Sequence, residues 1–363
     1  MDKRRIAFII PSLNAGGAER VVSTLSNALI SNFDITIIVL YRCEAFYKLN
    51  NNIKVVFCEN IYNNKRSFIK GIISHVKFIK SIKSILRLNK IEILIGFMTT
   101  TNLYAIAVSK ITKTPCIISE RVHPDYSPIS NFVFKFRKYL YPYTNVLVVQ
   151  TKEIAEYFTE TVKPEKIKII NNPINPVLIS KKNDNAPKEN IILNVGRLDN
   201  QKNQEMLIKA FANINNENWK LVIVGDGVEK DNYLDLIKTL NLQNKVELTG
   251  NVNDVSMYYN KSKIFAFTSR FEGFPNALTE AMAFGLPCIA TNCPSGPAEL
   301  IEHGNNGFLI PVDDQQSLED KLVSLMTNDK LRLKFSEECI KNMDKFKIDN
   351  VTREWQKTIN NLI

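Results

Sequence analysis

Short apolar segments alternate with amphipathic segments along nearly the whole chain, and this alternation restricts the fold more than any other feature. Each apolar segment has the length and composition of a buried strand. The predicted strands lie at 5–10, 35–40, 53–58, 91–96, 115–118, 145–149, 167–170, 191–195, 220–224, 245–249, 263–267, 287–290 and 308–310. The predicted helices lie at 18–30, 67–88, 101–110, 152–158, 203–214, 229–240, 275–284, 316–327 and 329–343. This order is typical of mostly parallel sheets that carry helices on both faces.

A polar stretch at 171–190, which contains three prolines, interrupts the alternation. Such a composition is typical of a linker. We therefore predict two Rossmann-like, doubly wound α/β domains, at 1–175 and 176–345. The segment 346–363 has apolar residues at helical spacing and is predicted to cross back onto the first domain. The two domains would face a cleft, and ligands of such sheets bind at the carboxyl ends of the strands.

Composition and charge exclude several classes of protein. With 45% hydrophobic and 23% charged residues, the 363-residue chain is globular. No apolar run approaches the roughly 18 residues of a membrane-spanning helix, and the N-terminus does not resemble a signal peptide, so we expect a cytoplasmic protein. Residues 1–175 hold 25 Lys and Arg against 12 Asp and Glu, whereas 176–363 hold 22 against 25. The two halves are therefore expected to meet different partners.

The segment 269–287 places two carboxylates, Glu272 and Glu280, eight residues apart, one in a loop and one in the helix that follows. Pro275 suits the first turn of that helix, because its missing N–H needs no partner there. The helix start would present amides to an anion, and Glu280 would lie one turn deeper. The amides in question belong to Phe274, Asn276, Ala277 and Leu278. Together these groups predict a binding site for a sugar joined to a diphosphate and a ribose.

Two further loops carry candidate ligand-binding residues. Arg197 and Lys202 directly follow a predicted strand, where they would contact phosphate oxygens, although two such residues are often only solvated surface. Gly16 and Gly17 precede the first helix and would allow a ligand close to the backbone, although a simple tight turn explains them too. Val252 follows another strand and is a weaker candidate for contact with a base. Dinucleotide-binding and P-loop motifs are absent, which disfavours dehydrogenases and NTPases.

No acidic residue occurs between Glu59 and Glu92, whereas basic and apolar residues alternate there at helical spacing. A basic amphipathic helix is typical of proteins that bind an anionic membrane surface. The alternative is an ordinary helix that packs its apolar stripe on the sheet and solvates its lysines. Nucleic acid is disfavoured, because no nucleic-acid-binding module is recognisable. The cations expected to face the membrane or an acceptor are Lys65, Arg66, Lys70, Lys77, Lys80, Lys83 and Arg87.

Four motifs together resemble the retaining GT-B glycosyltransferases of family four: GGAER, GRLDNQKN, GDG and EGFPNALTEAMAFGLPCIAT. The resemblance covers essentially the whole chain. It is strongest to bacterial enzymes that extend lipid-linked glycans, including GalNAc transferases that act on undecaprenyl-diphosphate sugars. It implies a GT-B fold, a UDP-sugar donor and a polyprenyl-diphosphate-linked acceptor. It also implies that the reaction needs neither a cofactor nor a metal ion.

The resemblance also implies roles for individual residues. Arg197 and Lys202 would hold the donor diphosphate, and the amides that follow Gly273 would bind its distal phosphate or sugar. Glu272 would contact sugar hydroxyls, and Glu280 would bind the ribose. Gly17 would approach the donor from the first domain.

One position departs from a common pattern of the family. Many relatives have His after Ser-Glu at the end of a strand in the first domain, where this chain has Arg121 after Glu120. His123 comes two residues later and is a further candidate catalytic residue, although a lone histidine is more often structural. Arg121 is a candidate to contact the donor or the acceptor diphosphate.

The sequence thus predicts a retaining hexosyltransferase at the inner face of the cytoplasmic membrane, with Glu272, Arg197 and Lys202 at the reacting centre. It would move GalNAc or another N-acetylhexosamine from a UDP-sugar to an undecaprenyl-diphosphate-linked glycan of O-antigen, lipopolysaccharide or capsule biosynthesis. Two alternatives remain open at this stage. One is a UDP-sugar epimerase of the same fold, and the other is a non-catalytic nucleotide-sugar-binding protein at the membrane.

Overall fold

The computed structural model describes residues 3–59, 68–126, 130–215 and 217–362, without the side chains at 68–72 and 131. The chain forms two compact units. Unit 1 comprises Met1–Pro173 and Ile348–Ile363, and unit 2 comprises Ile174–Lys347. The domain bounds predicted from the sequence, 1–175, 176–345 and 346–363, differ from this division by two residues at each junction.

Each predicted strand corresponds to a strand among the described residues. The strands are β1 (Arg4–Ile10), β2 (Phe33–Tyr41), β3 (Lys54–Glu59), β4 (Ile93–Phe97), β5 (Cys116–Ser119), β6 (Val146–Val149), β7 (Ile167–Ile169), β8 (Ile191–Val195), β9 (Lys220–Val224), β10 (Val246–Leu248), β11 (Ile264–Phe267), β12 (Cys288–Thr291) and β13 (Gly307–Ile310). Unit 1 holds one sheet in the order β3-β2-β1-β4-β5-β6-β7, and unit 2 holds one in the order β10-β9-β8-β11-β12-β13. All neighbouring strands pair in parallel.

The α-helices follow the strands in the alternation that the sequence predicts. They are α1 (Gly17–Leu29), α2 (Phe68–Leu88), α3 (Thr99–Thr112), α4 (Asn131–Leu140), α5 (Lys152–Phe158), α6 (Pro176–Ile179), α7 (Gln204–Asn213), α8 (Lys230–Thr239), α9 (Ser256–Lys261), α10 (Asn276–Ala283), α11 (Pro297–Leu300), α12 (Gln315–Thr327), α13 (Asp329–Lys341) and α14 (Ile348–Asn360). Of these, α4, α6, α9 and α11 have no counterpart among the predicted helices.

Both sheets are covered on both faces, as the run of apolar residues in each strand predicts. In β1, Ile6 and Phe8 point into one apolar core, and Ala7 and Ile9 point into the other. Residues of α1 and α14 fill the first of these cores, and residues of α2, α3 and α5 fill the second. The sheet of unit 2 likewise separates two apolar cores.

The C-terminal helix α14 returns to unit 1, as predicted from its apolar spacing. Val351, Trp355 and Ile359 are buried in the core of unit 1. The indole of Trp355 stacks on Phe97, with ring centroids 5.8 Å apart. Phe346 differs from the prediction: it precedes α14 and packs in unit 2, where its ring lies 5.8 Å from that of Phe274.

Candidate functional site

The loop after β8 carries two candidate cations, Arg197 and Lys202. Asp199, which the sequence analysis does not single out, contacts both residues. Asp199 Oδ1 accepts a hydrogen bond from the amide of Lys202 at 3.0 Å. Its other oxygen, Oδ2, accepts from Arg197 Nε at 2.5 Å. Asp199 therefore fixes the loop from within. The Arg197 side chain remains 66% exposed, so its guanidinium is accessible to a ligand.

Lys202 reaches the second predicted motif. Its ammonium Nζ lies 2.5 Å from Glu272 Oε1, and both side chains are largely buried. A second contact joins the same two loops, because Gln201 Nε2 donates to the carbonyl of Phe271 at 2.9 Å. The structure thus brings Lys202 and Glu272 together at neighbouring strands β8 and β11, although they are far apart in the sequence.

The start of α10 offers fewer free amides than the sequence predicts. Pro275 is the N-cap of α10, and the amide of Asn276 donates to the carbonyl of Phe274 at 2.9 Å. The Asn276 amide is therefore engaged within the turn. Within the described ranges, the amides of Phe274, Ala277 and Leu278 donate no hydrogen bond. These amides and the helix dipole favour an anion at this position. The carbonyl of Gly273 is held by the hydroxyl of Ser295 at 3.0 Å.

Glu280 lies on α10 and is oriented by a buried tyrosine. The hydroxyl of Tyr259 donates to Glu280 Oε2 at 3.1 Å. Tyr259 is fully buried on α9, and its ring packs on Phe265 and Phe284. The carboxylate that the sequence assigns to a ribose is thus held in one orientation by a side chain from another helix.

Residues 196–203, which follow β8 and include Arg197 and Lys202, form the cation loop. Glycines bring neighbouring loops of unit 2 close to it. Gly225, with φ of +145°, lies against the carbonyl of Gly196, and a side chain there would overlap it. Gly227 lies equally close to the carbonyl of Leu198. The glycines of the GDG motif therefore have a packing role. Val252 is half-buried against an apolar core of unit 2, and nothing in its surroundings identifies a bound base.

In unit 1, the predicted glycines precede α1, and a carboxylate lies beside them. Gly16 is the N-cap of α1, and Gly17 is its first residue. The side chain of Glu19 occupies the space next to Gly16, so a Cβ at that position would displace it. Burial raises the pKa of Glu19, and its Oε1 accepts a hydrogen bond from Ser12.

Arg121 follows β5 and lies among buried polar groups of unit 1. Its guanidinium lies 4.2 Å above the ring of Phe97, and Nη1 donates to Asn172 Oδ1 at 2.5 Å. Burial lowers the pKa of Arg121 to about 9, against the effect of the neighbouring Glu120 carboxylate. Glu120 is itself buried, which raises its pKa, and it accepts a hydrogen bond from Tyr141.

His123 is buried in unit 1, and both of its ring nitrogens have partners. Nδ1 accepts from the amide of Asp125 at 3.3 Å, and Nε2 lies 3.6 Å from Glu153 Oε1. The rings of Tyr126 and Tyr157 flank it. This environment is typical of a structural histidine, and a catalytic role for His123 stays a prediction.

The basic segment forms most of α2. Lys65 and Arg66 lie outside the described residues, as does the side chain of Lys70. Phe78, Ile82, Ile85 and Leu86 pack into a core of unit 1, as the alternative interpretation expects. Among the side chains that the structure describes, the opposite face keeps three apolar residues, Ile73, Val76 and Leu88, and four cations in contact with solvent. These cations are Lys77, Lys80, Lys83, which is half-buried, and Arg87.

No cluster of His, Cys, Asp and Glu side chains among the described residues has the composition of a metal site. None of the described helices combines the length and apolarity that crossing a bilayer requires.

The sequence analysis missed the residues that hold the site together. Asp199 lies between Arg197 and Lys202 in the sequence, and this position is a sign that its carboxylate could contact both cations. Tyr259 and Arg270 gave no such sign. Arg270 bonds to Asp313 and to the loop of Lys202, contacts that only the folded chain reveals.

Two protein-family models match consecutive parts of the chain. The model "Glycosyltransferase Family 4" matches residues 15–178, and the model "Glycosyl transferases group 1" matches residues 178–342.

Two relatives from Campylobacter jejuni are similar over nearly their full length. One is named GalNAc-alpha-(1->4)-GalNAc-alpha-(1->3)-diNAcBac-PP-undecaprenol alpha-1,4-N-acetyl-D-galactosaminyltransferase and is 32% identical, with 98% of each chain covered. The other is named N-acetylgalactosamine-N,N'-diacetylbacillosaminyl-diphospho-undecaprenol 4-alpha-N-acetylgalactosaminyltransferase. It is 33% identical, with 95% of this chain and 97% of the relative covered.

Solved structures share the fold at lower sequence identity. Sucrose-phosphate synthase from Thermosynechococcus elongatus matches with a TM-score of 0.86 and 17% identity, with 99% of each chain covered. HepE from Anabaena, solved in complex with UDP-glucose, matches with a TM-score of 0.79 and 19% identity, with 99% of this chain and 100% of HepE covered. The two family models and the full-length relatives together establish that the chain belongs to glycosyltransferase family 4 and is a hexosyltransferase with the GT-B fold.

Proposed function

We propose that this enzyme transfers N-acetylgalactosamine, or another N-acetylhexosamine, from a UDP-sugar to an undecaprenyl-diphosphate-linked glycan, with retention of configuration. The product would be a precursor of O-antigen, capsule or a related polysaccharide. Two full-length relatives carry names that specify this acceptor and sugar. The observation that carries the proposal is the contact between Lys202 and Glu272 at the carboxyl ends of β8 and β11.

In the proposed complex, the donor diphosphate binds between the two cations and the start of α10. Lys202 and Arg197 contact its oxygens, and the amides of Ala277 and Leu278 donate hydrogen bonds to the phosphate next to the sugar. When the diphosphate binds, Lys202 pairs with it instead of with Glu272, and Glu272 binds sugar hydroxyls. Glu280, held by Tyr259, binds the ribose.

The proposed reaction breaks the bond between the anomeric carbon and the diphosphate oxygen. An acceptor hydroxyl oxygen forms the new bond on the same face of the sugar, and its proton passes to the departing diphosphate. Negative charge accumulates on that diphosphate in the transition state. Lys202, Arg197 and the dipole of α10 stabilise it, which is the kind of electrostatic contribution that preorganised groups supply. The proposal requires no metal ion.

Mass analysis tests this proposal directly. Purified protein is incubated with a panel of UDP-sugars, with and without lipid extract that contains undecaprenyl-diphosphate glycans. We expect the lipid-linked glycan to gain one N-acetylhexosamine from the matching donor, and the donor to stay intact without acceptor. Conversion of one UDP-sugar into another without acceptor would instead identify an epimerase. Binding of UDP without any product would identify a non-catalytic protein.

We further infer that unit 1 binds the anionic inner face of the cytoplasmic membrane, where the lipid-linked acceptor lies. The helices α2, α3 and α4 contain no acidic residue, and α3 packs against both of the others. Their solvent-facing sides also present apolar residues, among them Ile73, Ile111, Phe132, Phe136 and Tyr139, which are 43–68% exposed. Exposed cations mixed with aromatic residues favour the interface of an anionic bilayer.

A further inference from the structure

Three loops of unit 2 meet at one ion pair. Arg270 follows β11, and its Nε donates to Asp313 Oδ1 at 2.9 Å and to Oδ2 at 3.2 Å. Asp313 follows β13, and its Oδ1 also accepts from Asn203 Nδ2 at 2.9 Å. Arg270 Nη1 donates to the carbonyl of Asn200 at 2.8 Å. The loops after β11 and β13 are thus joined to the loop that follows β8.

The loop after β8, which these contacts join to the other two loops, carries Arg197 and Lys202 of the proposed donor site. The backbone amide of Arg270 donates to the carbonyl of Gln201 at 2.8 Å. Arg270 and Asp313 therefore contact residues on both sides of Lys202, in a segment that Asp199 fixes from within. Asn203 and Asp313 have φ of 52° and 60°. Asn and Asp adopt such left-handed angles more readily than other non-glycine residues, and here the hydrogen bond between the two side chains joins them.

The adjacent residues Asp313 and Asp314 have different partners. Asp314 caps α12, because its side chain accepts from the amide of Ser317 at 3.0 Å. Asp313 has the different role of pairing with Arg270. The Nε–H of Arg270 is shared between the two oxygens of Asp313, and Nη1 donates to the carbonyl of Asn200, so this one guanidinium joins the two loops.

We propose that Arg270 and Asp313 are positioning residues that hold Lys202 at the location of the donor diphosphate. This inference rests on the proposed function of the cation loop. Charge-assisted hydrogen bonds to a phosphate depend on the distance and direction of the donor, so a displaced Lys202 binds the diphosphate more weakly. Displacement of this loop is therefore expected to weaken the contacts with the diphosphate much more than the contacts with the nucleoside.

The ratio of the affinities for UDP and UMP isolates this effect, because only UDP carries the second phosphate. Calorimetry on the full-length chain gives the Kd of both nucleotides for wild type, Arg270→Ala, Arg270→Lys and the double variant Arg270→Ala/Asp313→Ala. We expect Arg270→Ala to lower the preference for UDP about ten-fold, with the UMP affinity within about two-fold of wild type. Arg270→Lys retains the charge and restores part of the preference. The double variant also loses the hydrogen bond between Asn203 and Asp313, so we expect it to lower the preference at least as far as Arg270→Ala.

Arg332→Ala is the matched control. Arg332 also pairs with an aspartate, Asp329, and also donates to a backbone carbonyl, but it lies on α13. We expect it to lower thermal stability at least as much as Arg270→Ala and to leave the UDP preference unchanged. A wild-type preference in Arg270→Ala, or an equal loss of UDP and UMP, overturns the inference.

Lys202→Ala separates this inference from the function on which it rests. If wild type shows no preference for UDP, or Lys202→Ala keeps that preference, the proposed function fails and the inference fails with it. If wild type and Lys202→Ala behave as expected while Arg270→Ala resembles wild type, the inference alone fails.

Discussion

At the scale of single residues, Lys202 has a contact in this structure that the proposed binding of the donor would replace. Its ammonium is paired with Glu272 at 2.5 Å, and the proposed donor offers it a diphosphate instead. The pair keeps a largely buried carboxylate partnered before the donor arrives, which avoids the high free energy of an isolated buried charge. Lys202 therefore has both a structural partner and a proposed catalytic one.

Replacement of Lys202 by alanine should lower the rate of sugar transfer about 100- to 1,000-fold, because one of the groups that stabilise the leaving diphosphate is lost. The measurement is the rate of UDP release from the matching donor in the presence of acceptor. Lys209→Ala is the control, since Lys209 is an exposed lysine that pairs with Glu205 on α7. A rate near that of wild type for Lys202→Ala would remove Lys202 from the site.

Replacement of Tyr259 by phenylalanine removes one hydroxyl and leaves the packing of the ring on Phe265 and Phe284. The hydrogen bond to Glu280 is worth about 1–3 kcal/mol, because its acceptor is charged. We expect the Kd for UDP to rise about three- to ten-fold if Glu280 binds the ribose as proposed. Isothermal calorimetry measures the change.

Tyr141→Phe is the control for this variant, because Tyr141 is a buried tyrosine of unit 1 that also donates to a carboxylate, Glu120. It should lower stability without changing the Kd for UDP. An unchanged Kd in Tyr259→Phe would show that the orientation of Glu280 does not matter for UDP binding.

The sequence singles out candidate ligand-binding residues, but it does not single out the residues that hold them in place. Arg197, Lys202 and Glu272 belong to contiguous motifs, whose residue types and spacing indicate their chemistry. Tyr259 and Asp313 act through contacts with segments distant in sequence, and one sequence carries no record of such contacts. The amide of Asn276 was predicted to face a ligand because helix starts expose their first amides, but the local turn engages it.

At the scale of elements, the strands are the most predictable part of the fold. Most of them are buried on both faces and are continuous apolar runs bounded by polar residues, whereas the edge strands β3, β7 and β10 are only partly buried. Helices were missed where this contrast fails. The helix α4 combines cations with exposed aromatic residues such as Phe132 and Tyr139, so its apolar residues mark no single buried face. The helices α6, α9 and α11 have four to six residues, too few to establish a period.

Charge reversal on α2 tests the proposed membrane-binding face. The triple variant Lys77→Glu/Lys80→Glu/Arg87→Glu should lose most of its binding to vesicles that contain phosphatidylglycerol, because each exposed cation contributes about 1 kcal/mol near an anionic surface. Cosedimentation at low and physiological salt measures it. The control reverses three exposed lysines elsewhere in unit 1, with the same change in net charge: Lys48, Lys163 and Lys168. Equal losses in both variants would mean that net charge, and not this face, drives binding.

At the scale of the whole molecule, the two units differ in how the chain builds them. Unit 2 is one continuous stretch, 174–347, with an apolar core on each face of its sheet. Unit 1 needs two stretches, because α14 supplies Val351, Trp355 and Ile359 to one of its cores. The order of the elements along the chain thus makes one unit independent of the chain ends and the other dependent on both.

Expression of the separate stretches tests this difference. We expect 174–347 to unfold cooperatively and to bind UDP, because the cation loop, Glu272 and Glu280 all lie within it. Residues 1–173 alone should aggregate or unfold at low temperature, because the surface that α14 covers, including Phe97, would be exposed.

The amide of Ile174 donates to the carbonyl of Phe346 at 2.9 Å, so the two crossings between units run close together. A short flexible linker from 173 to 348 should therefore restore a folded unit 1. Circular dichroism melting curves decide the matter, and a stable 1–173 without α14 would contradict the assignment of that helix to the core.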